Sequence, residues 1–156
     1  AVQSGNLKAG LEPVVADVYI LAVPTPFKDN HIPDLSYVEA ATKMIASFVE
    51  PGNIIILEST SPVGTTEEVV AKILQESGHD VGNDVFVAHC PERVLPGRIL
   101  TELVENDRIV GGINPLSTEK AVEFYQTFVR GEVLTTNART AELSKLTENS
   151  FRDVNI

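Results

Sequence analysis

Cysteine, basic residues and long apolar runs are all scarce in this sequence of 156 residues. The single cysteine, Cys90, has no partner for an internal disulfide and cannot form a cysteine zinc site alone, so the reducing cytoplasm is the expected compartment. Twelve Lys and Arg against 22 Asp and Glu give a net charge of −10, which argues against nonspecific nucleic-acid binding. No apolar run approaches the roughly 20 residues that span a bilayer, so no membrane association is expected.

The two common phosphate-binding loops are also missing. Neither G-x-G-x-x-G nor G-x-x-x-x-G-K-[ST] occurs, and these loops supply the backbone N–H groups that hold the phosphates of a nucleotide. The chain starts without methionine, and residues 1–5 have neither the basic start nor the apolar stretch of a signal peptide. We therefore expect one of two situations: the phosphate loop precedes residue 1 in a longer protein, or the protein does not bind a dinucleotide.

A repeated order of short apolar run, polar loop and helical stretch organises the sequence. The runs predict strands at 18–23, 54–57, 85–88, 108–112 and 132–136. The remaining stretches predict helices at 35–49, 65–76, 100–105, 115–129 and 139–156. Asp34 or Ser36 is expected to cap the first helix, and Thr65 with Glu68 has the spacing of a capping box at the second. Strands that alternate with helices favour an α/β fold with a parallel sheet covered on both faces.

Three of the predicted strands end in polar loops that contain proline, at residues 24–26, 59–62 and 90–92. Proline ends each strand because it cannot donate to a central ladder. The carboxyl ends of parallel strands meet at one rim of the sheet, where α/β proteins bind their ligands. Polar strand ends are common in general, but the convergence of three predicts a binding site at this rim.

Glu92, Lys145 and Asn149 are the first candidates for chemistry. Glu92 follows the third strand behind a proline, and a carboxylate there suits a general base or a group that orients water. Lys145 and Asn149 are four residues apart, so they share one face of the last helix and suit the stabilisation of an oxyanion. Each has a structural alternative: an exposed loop carboxylate for the first, and a solvated helix stripe with a Glu148–Arg152 pair for the others.

Hydroxyl, thiol and imidazole groups complete the candidates. Thr25 and Thr60 suit hydrogen bonds to a ribose, a nicotinamide or a water, and equally suit local bonds within their turns. Cys90 is expected to be buried and inert, because it follows an apolar strand. The histidines lack the spacing of metal ligands, so no metal site is expected; they are His31, His79 and His89.

Four segments stand in an order typical of one enzyme family. They are A-V-P-T-P-F at 22–27, E-S-T-S-P-V-G at 58–64, C-P-E-R-V-L-P-G at 90–97 and E-L-S-K-L-T-E-N-S-F-R-D-V-N-I at 142–156. Over essentially the whole chain the sequence resembles the UDP-glucose/GDP-mannose dehydrogenase family. The resemblance implies a Rossmann-like doubly wound NAD-binding domain without its first βαβ unit at 1–136, and the start of a long central dimerisation helix at 137–156.

The resemblance also implies an activity and its residues. Members oxidise the C6 alcohol of a nucleotide sugar to a carboxylate with two NAD and without release of the aldehyde. The expected NAD contacts are Val23, Pro24, Thr25, Ser59 and Thr60. Thr60 would also help to hold the catalytic water, and Glu92 would act as acid and base during thioester hydrolysis. Lys145 and Asn149 would stabilise the oxyanion.

Substrate contacts are expected from the segment after Glu92. By the resemblance, Arg93, Val94 and Leu95 lie against a UDP-sugar. Members that act on UDP-glucose have a second glutamate four residues after the first, where this chain has Pro96. This departure favours a substrate of the N-acetylmannosamine type.

Several alternatives remain open at this stage. The family's glycine loop and catalytic cysteine lie outside the chain, and Cys90 does not match that cysteine, so the isolated chain is expected to be inactive. A UDP-glucose 6-dehydrogenase, a 6-phosphogluconate-type dehydrogenase and a non-catalytic binding or assembly module are the other interpretations. A nucleotide-sugar epimerase is disfavoured, because the Tyr-x-x-x-Lys pair expected of it does not occur. The central helix implies a homodimer.

Overall fold

The computed structural model describes residues 3–94 and 97–156. Its strands form one sheet in the order β1-β2-β3-β4-β5. They are β1 (Val18–Leu21), β2 (Ile54–Leu57), β3 (Phe86–His89), β4 (Arg108–Gly112) and β5 (Val133–Asn137). The helices are α1 (Ser36–Ala46), a π-helical segment (Thr66–Ala71) that continues as α2 (Lys72–Glu76), α3 (Ile99–Glu105), α4 (Pro115–Tyr125) and α5 (Ala138–Val154). A 3-10 turn covers Asp29–His31. The predicted α/β class is confirmed, and each predicted strand is present within a few residues of its expected bounds.

The direction of the strands differs from the wholly parallel sheet that the sequence predicts. β1, β2 and β3 are parallel, and so are β4 and β5, but β3 and β4 are antiparallel through Ala88↔Gly112 and His89↔Gly111. A parallel crossover needs a connection that packs across the sheet. The connecting helix α3 has seven residues and none of them is buried, so it does not cross the sheet. The chain therefore re-enters the sheet from the rim where β3 ends.

Side chains that alternate along the strands form two apolar layers. Ile55, Leu57 and Val87 belong to the layer that α1 and the π-helical segment cover. Ile56 and Ala88 point to the opposite face, where α4 covers them. Because β2 and β3 are buried on both faces, the rim at their carboxyl ends is the part of these strands that reaches a ligand.

Side chains accept hydrogen bonds from backbone N–H groups at the starts of α1 and α5. Asn137 caps α5 by accepting a hydrogen bond from Thr140 N at 2.9 Å. Asp34, one of the two expected caps of α1, accepts from Ser36 N at 3.0 Å. The capping box expected of Thr65 and Glu68 is absent, so that prediction is wrong. The Thr65 hydroxyl donates to the Pro62 carbonyl at 2.7 Å, and Glu68 pairs with Arg139.

A carboxylate from another helix replaces the capping box. Glu142 of α5 is fully buried and accepts hydrogen bonds from Gly64 N at 2.5 Å, Thr66 N at 2.8 Å and Thr66 Oγ1 at 2.6 Å. A carboxylate binds N–H groups at a helix start more strongly than a neutral side chain does, because the bonds are charge-assisted. These bonds fix α5 against the loop that follows β2.

Across residues 3–94 and 97–156, no helix combines the length and the apolar character needed to cross a membrane.

Candidate active site

A cleft of about 400 Å³ opens at the rim where β1, β2 and β3 end. Its lining combines residues of the two strand-end loops, Glu92 and one face of α5. The lining residues are Ala22, Val23, Glu58, Ser59, Thr60, Glu92, Lys145, Asn149 and Arg152. Six of the residues predicted from the sequence therefore meet in one place: Val23, Ser59, Thr60, Glu92, Lys145 and Asn149. Pro24, Thr25, Arg93 and Val94 are not in this lining, and Leu95 lies outside the described residues.

Two hydroxyl groups join the ends of β1 and β2. Ser59 Oγ accepts a hydrogen bond from Val23 N at 2.8 Å and lies 2.7 Å from the Val23 carbonyl oxygen as a donor. Thr25 Oγ1 donates to the Thr60 carbonyl at 2.7 Å. Both hydroxyls therefore hold the two loops together, and the Thr25 hydroxyl bonds to the other loop and not within its own turn.

Thr60 differs from its neighbours in its hydrogen bonding. Its carbonyl accepts from Thr25, whereas no hydrogen bond of its own hydroxyl is found among the described residues. The side chain is half-buried and lines the cleft. Its hydroxyl is therefore free to hold a water or a polar group of a ligand.

Lys145 and Asn149 project from α5 into the cleft, one turn apart. The Lys145 side chain is 12% exposed, and its Nζ lies 3.9 Å from Glu148 Oε2. Asn149 Oδ1 accepts a hydrogen bond from Arg152 Nη2 at 2.7 Å. The Glu148–Arg152 pair expected of a solvated stripe is replaced by Glu148–Arg93. A nearly enclosed ammonium beside an amide is the arrangement that favours a developing negative charge on a ligand oxygen.

Glu92 and the residues after it connect β3 to α5. Glu92 is half-buried, lines the cleft and accepts a hydrogen bond from Val94 N. Arg93 Nε lies 3.2 Å from Glu148 Oε2, so this side chain is paired with α5. An Arg93 that contacts a substrate would therefore have to share its guanidinium with Glu148.

Glu58 is a lining residue that the sequence analysis did not select. Its Oε1 accepts a hydrogen bond from Tyr125 Oη at 2.6 Å, and burial raises the pKa of its carboxyl above the usual range. Arg108, 2% exposed, stacks on the Tyr125 ring with its guanidinium carbon 5.6 Å from the centroid. The signal was present in the sequence, because Glu58 directly follows β2 and the carboxyl ends of the parallel strands form the site.

Cys90 and His89 are buried beside the cleft and take no part in its lining. Burial raises the pKa of the Cys90 thiol to about 11, so the inert cysteine expected from the sequence is consistent with its surroundings. Burial lowers the pKa of His89 to about 4, and neither ring nitrogen has a hydrogen-bond partner among the described residues. In the same part of the chain, no group of three or more His, Cys, Asp or Glu is arranged to hold a metal ion.

A second and larger depression, about 870 Å³, lies between α4 and β5. It contains none of the predicted site residues. Its charged lining residues are two carboxylates, Glu119 and Glu123, and no Lys or Arg contributes to it. An anionic nucleotide would be repelled there, so the smaller cleft at the strand ends is the better candidate.

The chain is similar to enzymes that oxidise nucleotide sugars. Residues 1–129 match the family model for the NAD binding domain of the UDP-glucose/GDP-mannose dehydrogenase family. The UDP-N-acetyl-D-mannosamine dehydrogenase of Campylobacter jejuni is 55% identical over 99% of this chain and 40% of its own length. The NDP-N-acetyl-D-galactosaminuronic acid dehydrogenase of Ralstonia solanacearum is 53% identical over the whole chain and 38% of its own length.

A solved structure of one relative has the same fold as this chain. The UDP-N-acetyl-mannosamine dehydrogenase of Staphylococcus aureus superposes with a TM-score of 0.94 at 47% identity, over 99% of this chain and 38% of that one. The chain thus spans about 40% of the length of the curated relatives it matches. The matched part is an NAD binding domain, in agreement with the NAD expected from the sequence. The chain belongs to the UDP-glucose/GDP-mannose dehydrogenase family.

Proposed function

We propose that the protein oxidises the C6 alcohol of UDP-N-acetyl-D-mannosamine to the carboxylate of UDP-N-acetyl-D-mannosaminuronate, for use in polysaccharide biosynthesis. The observation that supports this most is the meeting of Thr60, Glu92, Lys145 and Asn149 in one cleft at the strand ends. NAD would supply the oxidising chemistry, since the reaction would transfer two hydrides from C6 to two NAD and take the second carboxylate oxygen from one water. Relatives named for this substrate share 51–55% identity with the chain.

The cleft suits the nicotinamide end of NAD on one side. Ala22 and Val23 give it an apolar surface, and the Thr60 hydroxyl is free for a water beside it. Ser59 and Thr25 hold this surface in place through the bonds between the two loops. Pro24 follows Val23 in the loop after β1 and, although it lies outside the cleft lining, remains a proposed contact of NAD.

The opposite side of the cleft suits the reacting oxygen of the sugar. Lys145 and Asn149 stabilise negative charge that develops on this oxygen. In this family the oxidised C6 forms a thioester with a catalytic cysteine. Glu92 exchanges protons with the water that attacks this thioester during its hydrolysis. Arg93 and Val94, with Leu95 beyond the described residues, are the proposed contacts of the UDP-sugar.

Further features of the proposal concern the whole protein. Residues 1–136 form the NAD-binding part and 137–156 the start of a central helix that pairs two subunits. Leu143, Phe151 and Val154 of α5 are 53%, 71% and 86% exposed, which supports a partner for this helix. A cytoplasmic location agrees with the single, unpaired cysteine.

The test is NADH formation by the full-length protein with separate UDP-sugars. UDP-N-acetyl-D-mannosamine should yield two NADH per sugar and a uronate product. UDP-N-acetyl-D-galactosamine is the second candidate, because the Ralstonia relative is named for a galactosaminuronic acid. UDP-glucose should be a poor substrate. The absence of NADH with all three would refute the proposal, and a preference for UDP-glucose would refute its substrate.

A further inference from the structure

Glu58 opens the E-S-T-S-P-V-G segment at 58–64, but the resemblance assigns no role to its carboxylate. It directly follows β2 and lines the same cleft as Glu92 and Lys145. Its Oε1 accepts the Tyr125 hydroxyl at 2.6 Å, and Tyr125 itself is 1% exposed. One side chain thus connects the reacting cleft to a hydroxyl in the core beneath it.

The carboxylate retains capacity for a ligand. An ionised carboxylate offers about four lone pairs, and Tyr125 uses one of them. Among the described residues, Tyr125 is the hydrogen-bond partner of this side chain, so further lone pairs can accept a bond from a group in the cleft. If Glu58 served only to accept the hydrogen bond of the Tyr125 hydroxyl, its side chain would not need to line the cleft.

Opposing charges surround Glu58. Burial raises its pKa most strongly, while the Tyr125 hydrogen bond and the nearby Arg108 lower it and Glu92 raises it. Burial, the largest of these influences, raises the pKa of the Glu58 carboxyl, and a raised carboxyl pKa favours acid–base catalysis near neutral pH. The titratable and charged groups that face it are Tyr125 of α4, Arg108 of β4, Cys90 and Glu92 after β3, and Lys145 and Arg152 of α5 across the cleft.

We propose that Glu58 is an additional acid–base residue of this cleft and that Tyr125 positions its carboxylate. The step rests on the proposed function. The O–H bond of the C6 alcohol breaks and its proton passes to the Glu58 carboxylate. The C6–H bond breaks with its electron pair, which leaves as hydride to NAD⁺, and the C=O bond of the aldehyde forms. Glu92 then acts as acid and base only in the later hydrolysis.

The decisive variant is Glu58→Gln in the full-length enzyme, compared with Glu92→Gln. Rapid-mixing measurements separate the first NADH formed, which reports alcohol oxidation, from steady turnover, which includes hydrolysis. Glu58→Gln should slow the first NADH by about 100-fold, within the range of lost general-base catalysis. Glu92→Gln should slow steady turnover more than it slows the first NADH, because Glu92 is assigned to hydrolysis. Glu76→Gln, an exposed carboxylate on α2, is the matched control.

Tyr125→Phe provides a readout that a purely structural role would not move. The substitution keeps the ring and removes the hydroxyl that lowers the pKa of Glu58. The carboxylate would then stay protonated to a higher pH, so the acidic limb of the rate of the first NADH should shift upward. In Glu58→Gln this limb should be absent. Thermal unfolding of both variants checks that they are folded.

The outcomes distinguish the two proposals. A wild-type enzyme without sugar-dependent NADH refutes the proposed function. An active wild type whose Glu58→Gln variant forms the first NADH at the wild-type rate overturns the role of Glu58 alone. A slowed first phase with an unchanged acidic limb in both variants overturns it as well.

Discussion

Hydroxyl groups at the rim divide into two that the fold uses and one that remains available. Ser59 and Thr25 bond the ends of β1 and β2 to each other, whereas the Thr60 hydroxyl has no hydrogen bond among the described residues. The sequence could not separate Thr25 from Thr60, because both follow strands and both precede a proline by one or two positions. Only the packing of the two loops shows that the Thr25 hydroxyl already has a hydrogen-bond partner.

Lys145 is the residue whose loss should affect chemistry most directly. Its ammonium group is nearly enclosed in the cleft, where a charge stabilises an oxyanion more than it would in water. We predict that Lys145→Ala lowers kcat of the full-length enzyme by about 100-fold to 1000-fold. Lys72→Ala, an exposed ammonium on α2, is the control. Turnover near the wild-type level in steady-state NADH assays would exclude Lys145 from the site.

Glu58 shows why some site residues escape a reading of the sequence. The resemblance implies NAD contacts for Ser59 and Thr60 beside it and no role for Glu58. The property that distinguishes Glu58 is its contact with Tyr125, which is 67 residues further along the chain. No local spacing predicts such a contact, because it depends on how α4 packs against the sheet.

At the scale of elements, strand positions were predictable and one strand direction was not. The apolar runs that form β2 and β4 coincide with the predicted ranges because burial on both faces leaves an unmistakable pattern. The direction of β4 depends on whether α3 crosses the sheet. The residue pattern of a helix this short does not show whether the helix crosses the sheet. The capping box failed for a similar reason, since the actual cap, Glu142, comes from α5.

Glu142 should contribute strongly to the stability of the packed elements. Glu142→Ala would leave the N–H groups of Gly64 and Thr66 buried without their acceptor. We predict a loss of about 3 kcal/mol in the free energy of unfolding, as expected when buried donors lose a charged acceptor. Urea unfolding measures this loss. Arg139→Ala, which removes the exposed pairs with Glu67 and Glu68, should have a much smaller effect; equal losses would contradict the assignment.

At the scale of the whole molecule, charge is distributed in favour of an anionic ligand near α5. The net charge is −10; in the cleft, the basic residues Lys145 and Arg152 lie on α5, whereas the carboxylates Glu58 and Glu92 lie at the strand ends. The proposed UDP-sugar is negatively charged, so its attraction to the basic residues of α5 must overcome its repulsion by the net charge of the chain. Eight of the 12 Lys and Arg residues lie within residues 93–156, which the sequence shows, but the meeting of Lys145 and Arg152 in one cleft depends on the docking of α5.

His89 should make the whole fold sensitive to mild acid. Its pKa falls from the usual 6.5 to about 4 because the ring is buried, so the folded state binds a proton less readily than the unfolded state. Above pH 6.5 the neutral His89 does not reduce the free energy of unfolding. As the pH falls from 6.5 towards 4, the unfolded state takes up a proton first, so the free energy of unfolding decreases. The loss amounts to about 3 kcal/mol by linkage.

Urea unfolding at a series of pH values measures this effect. His89→Gln should flatten the dependence between neutral and mildly acidic pH, whereas the exposed His31→Gln should leave it unchanged. An unaltered slope in the His89 variant would assign the acid sensitivity to other groups.

The attachment of α5 by Glu142 has a consequence for motion. Glu142 lies three residues before Lys145 on one helix, and Gly64 lies four residues after Thr60 in one loop. The bonds of Glu142 therefore join the loop that carries the Thr60 hydroxyl to the helix that carries the Lys145 ammonium. If the enzyme closes around its substrate, we expect these two groups to move together. The closing movement would then be made by another part of the protein, on the far side of the cleft opening.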